Sequence, residues 1–105
     1  MYAAIYRWRV KPGREGEFEE GWRLGTIAIR EQLGGLGSRL HKTAEGDYIA
    51  YAEWPDEETW RKAVDDGMAY KDDHARALYR ASIAGPPEIL FSFPVVVDVL
   101  NGRDG

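Results

Sequence analysis

Residues 2–33, YAAIYRWRVKPGREGEFEEGWRLGTIAIREQL, change their hydrophobic period once, and that change decides the fold class. From Tyr2 to Val10 the pattern alternates. Tyr2, Ala4, Tyr6, Trp8 and Val10 share one face of a strand, with Ala3, Ile5, Arg7 and Arg9 on the other. Lys11-Pro12-Gly13 ends it as a turn. From Arg14 to about Leu33, Phe18, Trp22, Gly25, Ile29 and Leu33 recur at helical spacing. Glu15, Glu17, Glu19 and Glu20 sit in the first half, where the helix dipole favours negative charge. Gly34-Gly35-Leu36-Gly37 supplies the glycines expected just past a helix C-terminus. The unit is a strand followed by a helix.

Working outward, Ser38–Thr43 and Tyr48–Trp54 read as two strands of a hairpin, with Gly46 in the connecting turn. Pro55-Asp56 opens a second helix, with Asp56 as its N-cap and Trp60, Val64 and Met68 as its apolar stripe. Gly67 breaks that helix, and a further helical piece runs from about Asp72 to Ile83 with Ala75, Leu78, Tyr79 and Ser82 on one side. Gly85-Pro86-Pro87 stops it. Glu88 to Leu100 is a nearly continuous apolar run, read as a strand buried on both faces, with Pro94 marking an edge, a bulge or a bend. Asn101 to Gly105 reads as a frayed tail.

The order βαββαβ predicts an α+β, ferredoxin-like fold: a four-stranded antiparallel sheet of order 4-1-3-2 with its helices on one face. No residues remain to cover the opposite face. A long apolar edge strand left bare is an aggregation hazard. The expected remedy is a second copy, sheet facing sheet, giving a homodimeric α+β barrel held by Glu88–Leu100 and the face carrying Ile5, Ile49 and Tyr51.

At 105 residues the chain is read as one domain, 1–105, and its 44% hydrophobic and 30% charged residues suit a globular core. The absence of cysteine removes disulfides, thiolate metal sites and cysteine nucleophiles. A net charge of −4 with scattered basic residues argues against nucleic acid as a partner. No apolar stretch approaches the roughly 20 residues of a membrane span, so a cytoplasmic protein is expected.

Among residues with chemistry to offer, His74 titrates near neutrality and is the expected proton-transfer group. Tyr6, Trp8 and Trp60 are the expected ligand-binding rings, and a cavity bordered by Tyr6, Trp60 and His74 is expected between sheet and helices. Trp22 and Trp54 read as core. His41 shares a strand face with Arg39 and reads as packing beside Arg7, Arg9 and Glu53. No metal is expected. A helix through Asp65, Asp66, Asp72 and Asp73 would part the two pairs by roughly 10 Å, too far to chelate one ion. The glycines at 34–37 follow a helix and precede a strand, the reverse of a phosphate loop.

Three stretches carry a resemblance: Tyr6-Arg7-Trp8-Arg9-Val10-Lys11-Pro12-Gly13, Leu36-Gly37-Ser38-Arg39-Leu40-His41, and Ala50-Tyr51-Ala52-Glu53-Trp54-Pro55. Together they resemble the antibiotic biosynthesis monooxygenase family of dimeric α+β barrels. The resemblance implies a two-fold dimer with one pocket per subunit. It also implies oxygenation of a small aromatic, quinol or polyketide-like substrate with no cofactor. A non-catalytic ligand-binding module on the same scaffold is the alternative, and haem degradation a third. The haem-degrading branch resembles an Asn, Trp and His trio. Here Tyr6 stands at the Asn position, and thirteen residues separate Trp60 from His74.

Overall fold

The computed structural model describes residues 1–102. Four strands, β1 (Tyr2–Trp8), β2 (Gly37–Lys42), β3 (Tyr48–Trp54) and β4 (Glu88–Pro94), form one antiparallel sheet of order β2-β3-β1-β4. Three helices, α1 (Glu15–Leu33), α2 (Glu57–Asp65) and α3 (Asp73–Ser82), connect them. This is the ferredoxin-like α+β plan read from the sequence. No helix among the described residues is long and apolar enough to cross a membrane.

Local chemistry sets the helix ends. Gly34 closes α1 in the left-handed conformation, φ 84°, where a side chain would be strained. Asp56 caps α2 by accepting from the Thr59 N–H at 2.7 Å, and Asp72 caps α3 by accepting from the Ala75 N–H at 2.9 Å. The break between α2 and α3 falls where Gly67 predicted it. Thr43 and Asp47 close the β2–β3 hairpin.

The alternation of β1 and β3 sorts the two faces. Tyr2, Ala4 and Trp8, with Tyr48, Ala50, Ala52 and Trp54, are buried toward the helices. Ile5, Arg7, Ile49, Tyr51 and Glu53 lie on the other face and are only half-buried. Two aromatic halves of the core, one around Trp54 and Trp60 and one around Trp8, Phe18 and Tyr48, meet at Tyr6, which packs on both.

A bulge in β4 resets which way its first residues face. The ladder pairs Ile5 with Phe91 and Tyr6 with Ile89, leaving Leu90 as the extra residue. Without it, Leu90 would oppose Tyr6. With it, Ile89 is turned beside Tyr6 toward the helices, and Glu88 opposes Arg7, where a salt bridge of 2.9 Å forms.

Three boundaries depart from the sequence reading. β1 ends at Trp8, and Val10 makes only an isolated bridge to Ile83. β4 ends at Pro94 and does not run to Leu100. The Val95 N–H still reaches the Met1 carbonyl, but the chain then leaves the sheet. Burial on both faces of this strand is corrected too. Phe91 is 59% exposed and Phe93 41%, because nothing among the described residues covers the sheet's open face. Of the tail, residues 103–105 lie outside the described residues, and Leu100–Gly102 forms one 3-10 turn.

Candidate functional site

A cavity of about 400 Å3 lies between the helix face of the sheet and the helices. Its origin is a matter of side-chain size. Ala50 and Ala52 stand in the middle of the sheet, and their small side chains leave room between the large rings at the ends. Gly21 and Gly25 of α1 also border the space, and they let α3 and Tyr70 close against that helix. The glycines are also required by their neighbours. A Cβ on Gly21 would lie 2.8 Å from the Tyr79 backbone nitrogen, and one on Gly25 would lie 2.7 Å from the Tyr70 hydroxyl oxygen.

Tyr6 and Trp8 line this cavity, as the alternation of β1 predicts. Their rings stand 5.8 Å apart, centroid to centroid. Each is tied to a partner far along the chain. The Trp60 indole N–H donates to the Tyr6 hydroxyl oxygen at 2.7 Å, and the Trp8 indole N–H donates to the Tyr79 hydroxyl oxygen at 2.7 Å. Burial pushes the pKa of both phenols up, and the indole donor opposes that rise in each. Both are protonated at neutral pH.

The remaining expected site residues are placed differently. Trp60 is buried behind Tyr6, among Tyr2, Ala4 and Trp54, and does not line the cavity. It holds the Tyr6 hydroxyl and cannot touch a ligand in this structure. His74 sits on the exposed first turn of α3, outside the cavity. The expectation that it borders the cavity is corrected: the Asp72 cap fixes the start of α3 so that Ala75, one residue on, faces the core. His41 is on the exposed β2 edge, with its Nδ1 3.1 Å from the Ile49 carbonyl oxygen.

Four residues that line the cavity are not among the ring contacts expected from the sequence. Tyr79 was legible only as part of the α3 stripe with Ala75 and Ser82. Tyr70 lies between helices, where no period marks it. Trp22 was read as core and is a half-exposed wall residue. Trp54 is core, at 2% exposure, but also lines the cavity, and its indole N–H is buried with no acceptor among the described residues. Among those residues, no group of three acidic or imidazole side chains is gathered as a metal site would require.

The family model for antibiotic biosynthesis monooxygenase matches residues 1–77. A comparison with curated proteins finds no match. Several solved structures share the fold. One, from Bordetella bronchiseptica and provisionally named an antibiotic biosynthesis monooxygenase, is 24% identical with a TM-score of 0.67, over 91% of this chain and 97% of that one. A variant of SnoaB, a cofactor-independent oxygenase from Streptomyces nogalater, is 22% identical with a TM-score of 0.66, over 94% and 96%. A protein of unknown function from Nitrosomonas europaea is 19% identical with a TM-score of 0.66, over 94% and 92%. At these identities the likeness is one of fold.

Proposed function

The chain belongs to the antibiotic biosynthesis monooxygenase family, and from that premise we propose that it binds a small planar aromatic molecule in the cavity and oxygenates it with dioxygen alone. The cavity itself carries the proposal. Its volume of about 400 Å3 falls in the range of small-molecule sites, and its walls are aromatic rings with a few polar groups. The cofactor-independent activity of SnoaB supports the reaction class and says nothing of the substrate here.

A quinol or anthrone can supply the electrons itself. Loss of a proton gives an enolate, which passes an electron to dioxygen. The two radicals recombine to a peroxide, and loss of water leaves a carbonyl where a methylene stood. One oxygen atom enters the product and the other leaves as water, so the four electrons lost by carbon match the four gained by dioxygen. What the protein contributes is orientation and exclusion of bulk water. Tyr6 and Trp8 stand at the sheet side of the space for this.

The working unit we propose is a homodimer, with a second copy on the open face of the sheet. Phe91 and Phe93 stack there, ring centroids 6.2 Å apart, beside half-buried Ile5 and Tyr51. Val96, 91% exposed, and Val97, 77%, extend the apolar surface past β4.

Oxygen uptake by the pure protein with a panel of quinols and anthrones tests the reaction. Uptake that depends on the protein, persists after chelation, and falls at least tenfold in Tyr6→Phe is the expected result. Binding of the same compounds with no uptake would establish the non-catalytic alternative.

A further inference from the structure

Charge in the cavity wall is carried by Arg30 on α1, Arg76 on α3 and Glu53 on β3. Two of the three are engaged elsewhere. Arg76 donates to the Met68 and Tyr70 carbonyl oxygens at 2.9 Å each, and its guanidinium lies 4.4 Å from the centre of the Tyr70 ring. Glu53 alternates to the open face of the sheet, where its carboxylate receives the Tyr51 hydroxyl at 3.3 Å. Arg30 makes no ion pair among the described residues. Earlier along the same stretch Arg14 pairs with Glu17 and Arg23 with Glu20, each within one helical turn. The positions three and four away from Arg30 are Thr26, Ile27, Leu33 and Gly34, so no carboxylate is placed to pair with it on the helix. Its place in the last turn suits the helix dipole, a role that any cation fills.

The fold sets where this free cation stands. Trp22, Thr26 and Arg30 are spaced four apart, so they form one row on α1, about 12 Å from end to end. All three line the cavity, and Arg30 is the exposed member of the row, which puts it where the cavity meets solvent. Gly37 and Ser38 of the edge strand β2 border the same space. Between that rim and the rings of β1 lie the alanines of β3: Ser38 pairs with Ala52, and Ala50 pairs with Tyr6. The rim is thus two strand spacings, roughly 10 Å, from β1.

We propose that Arg30 is a specificity-determining residue that pairs with a carboxylate on the bound molecule, so that the cavity takes planar aromatic acids. The ring lies over Ala50 and Ala52, and the acid group stays at the rim between α1 and β2. The proposal rests on the cavity being the binding site and adds a charged substituent remote from the reacting carbon. A guanidinium presents parallel N–H donors that match a carboxylate, and hydrogen bonds between charged partners are the stronger kind. An acid group turned inward would lose its water over alanine without gaining a partner, which is costly. The acid end is therefore held outward, and the opposite edge of the ring is presented to Tyr6 and Trp8.

The test compares 2-naphthoate with 2-naphthamide, which has nearly the same shape and no charge, by fluorescence titration at neutral pH. At low salt the naphthoate should bind about fivefold more tightly, the size of one well-placed and partly exposed ion pair. That ratio should narrow in about 0.5 M salt, which screens the pair. Arg30→Gln should bring the ratio to about one, and Arg30→Lys, which keeps the charge and loses the fork, should leave it between the two. Equal binding of both probes by the parent protein overturns the acid subsite and leaves the cavity as a binding site. A ratio unchanged in Arg30→Gln also overturns it. Loss of both probes together in Arg30→Gln assigns Arg30 a structural role and overturns it as well. If neither probe binds the parent protein, the cavity reading fails and the subsite falls with it.

Discussion

Replacing Tyr6 and Trp60 by phenylalanine, singly and together, measures the bond that positions the cavity's central hydroxyl. The Trp60 side chain is 3% exposed, so in Tyr6→Phe its indole N–H is left buried without an acceptor. Such a group costs about 1–3 kcal/mol. In Trp60→Phe the Tyr6 oxygen still faces the cavity, so the penalty is the lost bond, about 1 kcal/mol. The smaller ring leaves a void worth about 1 kcal/mol more. The double variant removes both polar groups, and its cost should be no more than that of Trp60→Phe, about 2 kcal/mol. A coupling of about 1–3 kcal/mol is therefore expected between sites 54 positions apart in sequence. Urea denaturation at one fixed protein concentration reads it, since any association would otherwise shift the midpoint. The Trp60 hydrogen bond lowers the Tyr6 pKa, so in Trp60→Phe the tyrosinate absorbance of Tyr6 should appear at still higher pH. Additive costs within about 0.5 kcal/mol would refute the coupling.

Two glycines on α1 should respond with opposite sign. A Cβ on Gly16 meets nothing within 4 Å, so Gly16→Ala should raise the melting temperature by up to the helix-propensity gain of about 1 kcal/mol. At Gly21 the Cβ meets α3 backbone, so Gly21→Ala should lower stability by about 1–2 kcal/mol as the helices part, and equal shifts would contradict the packing described. Phe91→Asp or Val97→Asp should yield monomer or precipitate by light scattering at micromolar concentration. An unpaired charge in an apolar interface costs several kcal/mol, and a parent protein already monomeric there would remove the proposed dimer. Burial raises the Tyr6, Tyr70 and Tyr79 pKa values above 10.0. Below pH 10 both folded and unfolded states keep these protons, so stability should not depend on them. Above it the unfolded chain ionises first, so stability should fall with rising pH, less steeply in Tyr79→Phe; a flat profile to pH 11.5 would count against their burial.

Everything the sequence determined here rests on neighbours in the chain. Alternation placed Tyr6 and Trp8 on the helix face of β1, and the capping residues Asp56 and Asp72 set the starts of α2 and α3, because strand parity and N-caps act over two or three residues. The order of those elements then admitted one economical sheet, β2-β3-β1-β4. The tertiary structure alone decided which rings face space and which face one another. Trp60 looked like a wall residue from its helical stripe and is spent on Tyr6. Trp54 reads as core and is core, yet its ring also lines the cavity. No periodicity distinguishes these roles, since both positions are buried and apolar. Tyr79 became a site residue only because Trp8, 71 positions away, donates to it. His74 was lost to the site by one helical step, since a rotation of about 100° per residue separates the core face at Ala75 from solvent. The bulge at Leu90, which turns Ile89 toward the cavity and sets Glu88 against Arg7, arises from pairing with β1 and leaves no mark in the apolar run that contains it.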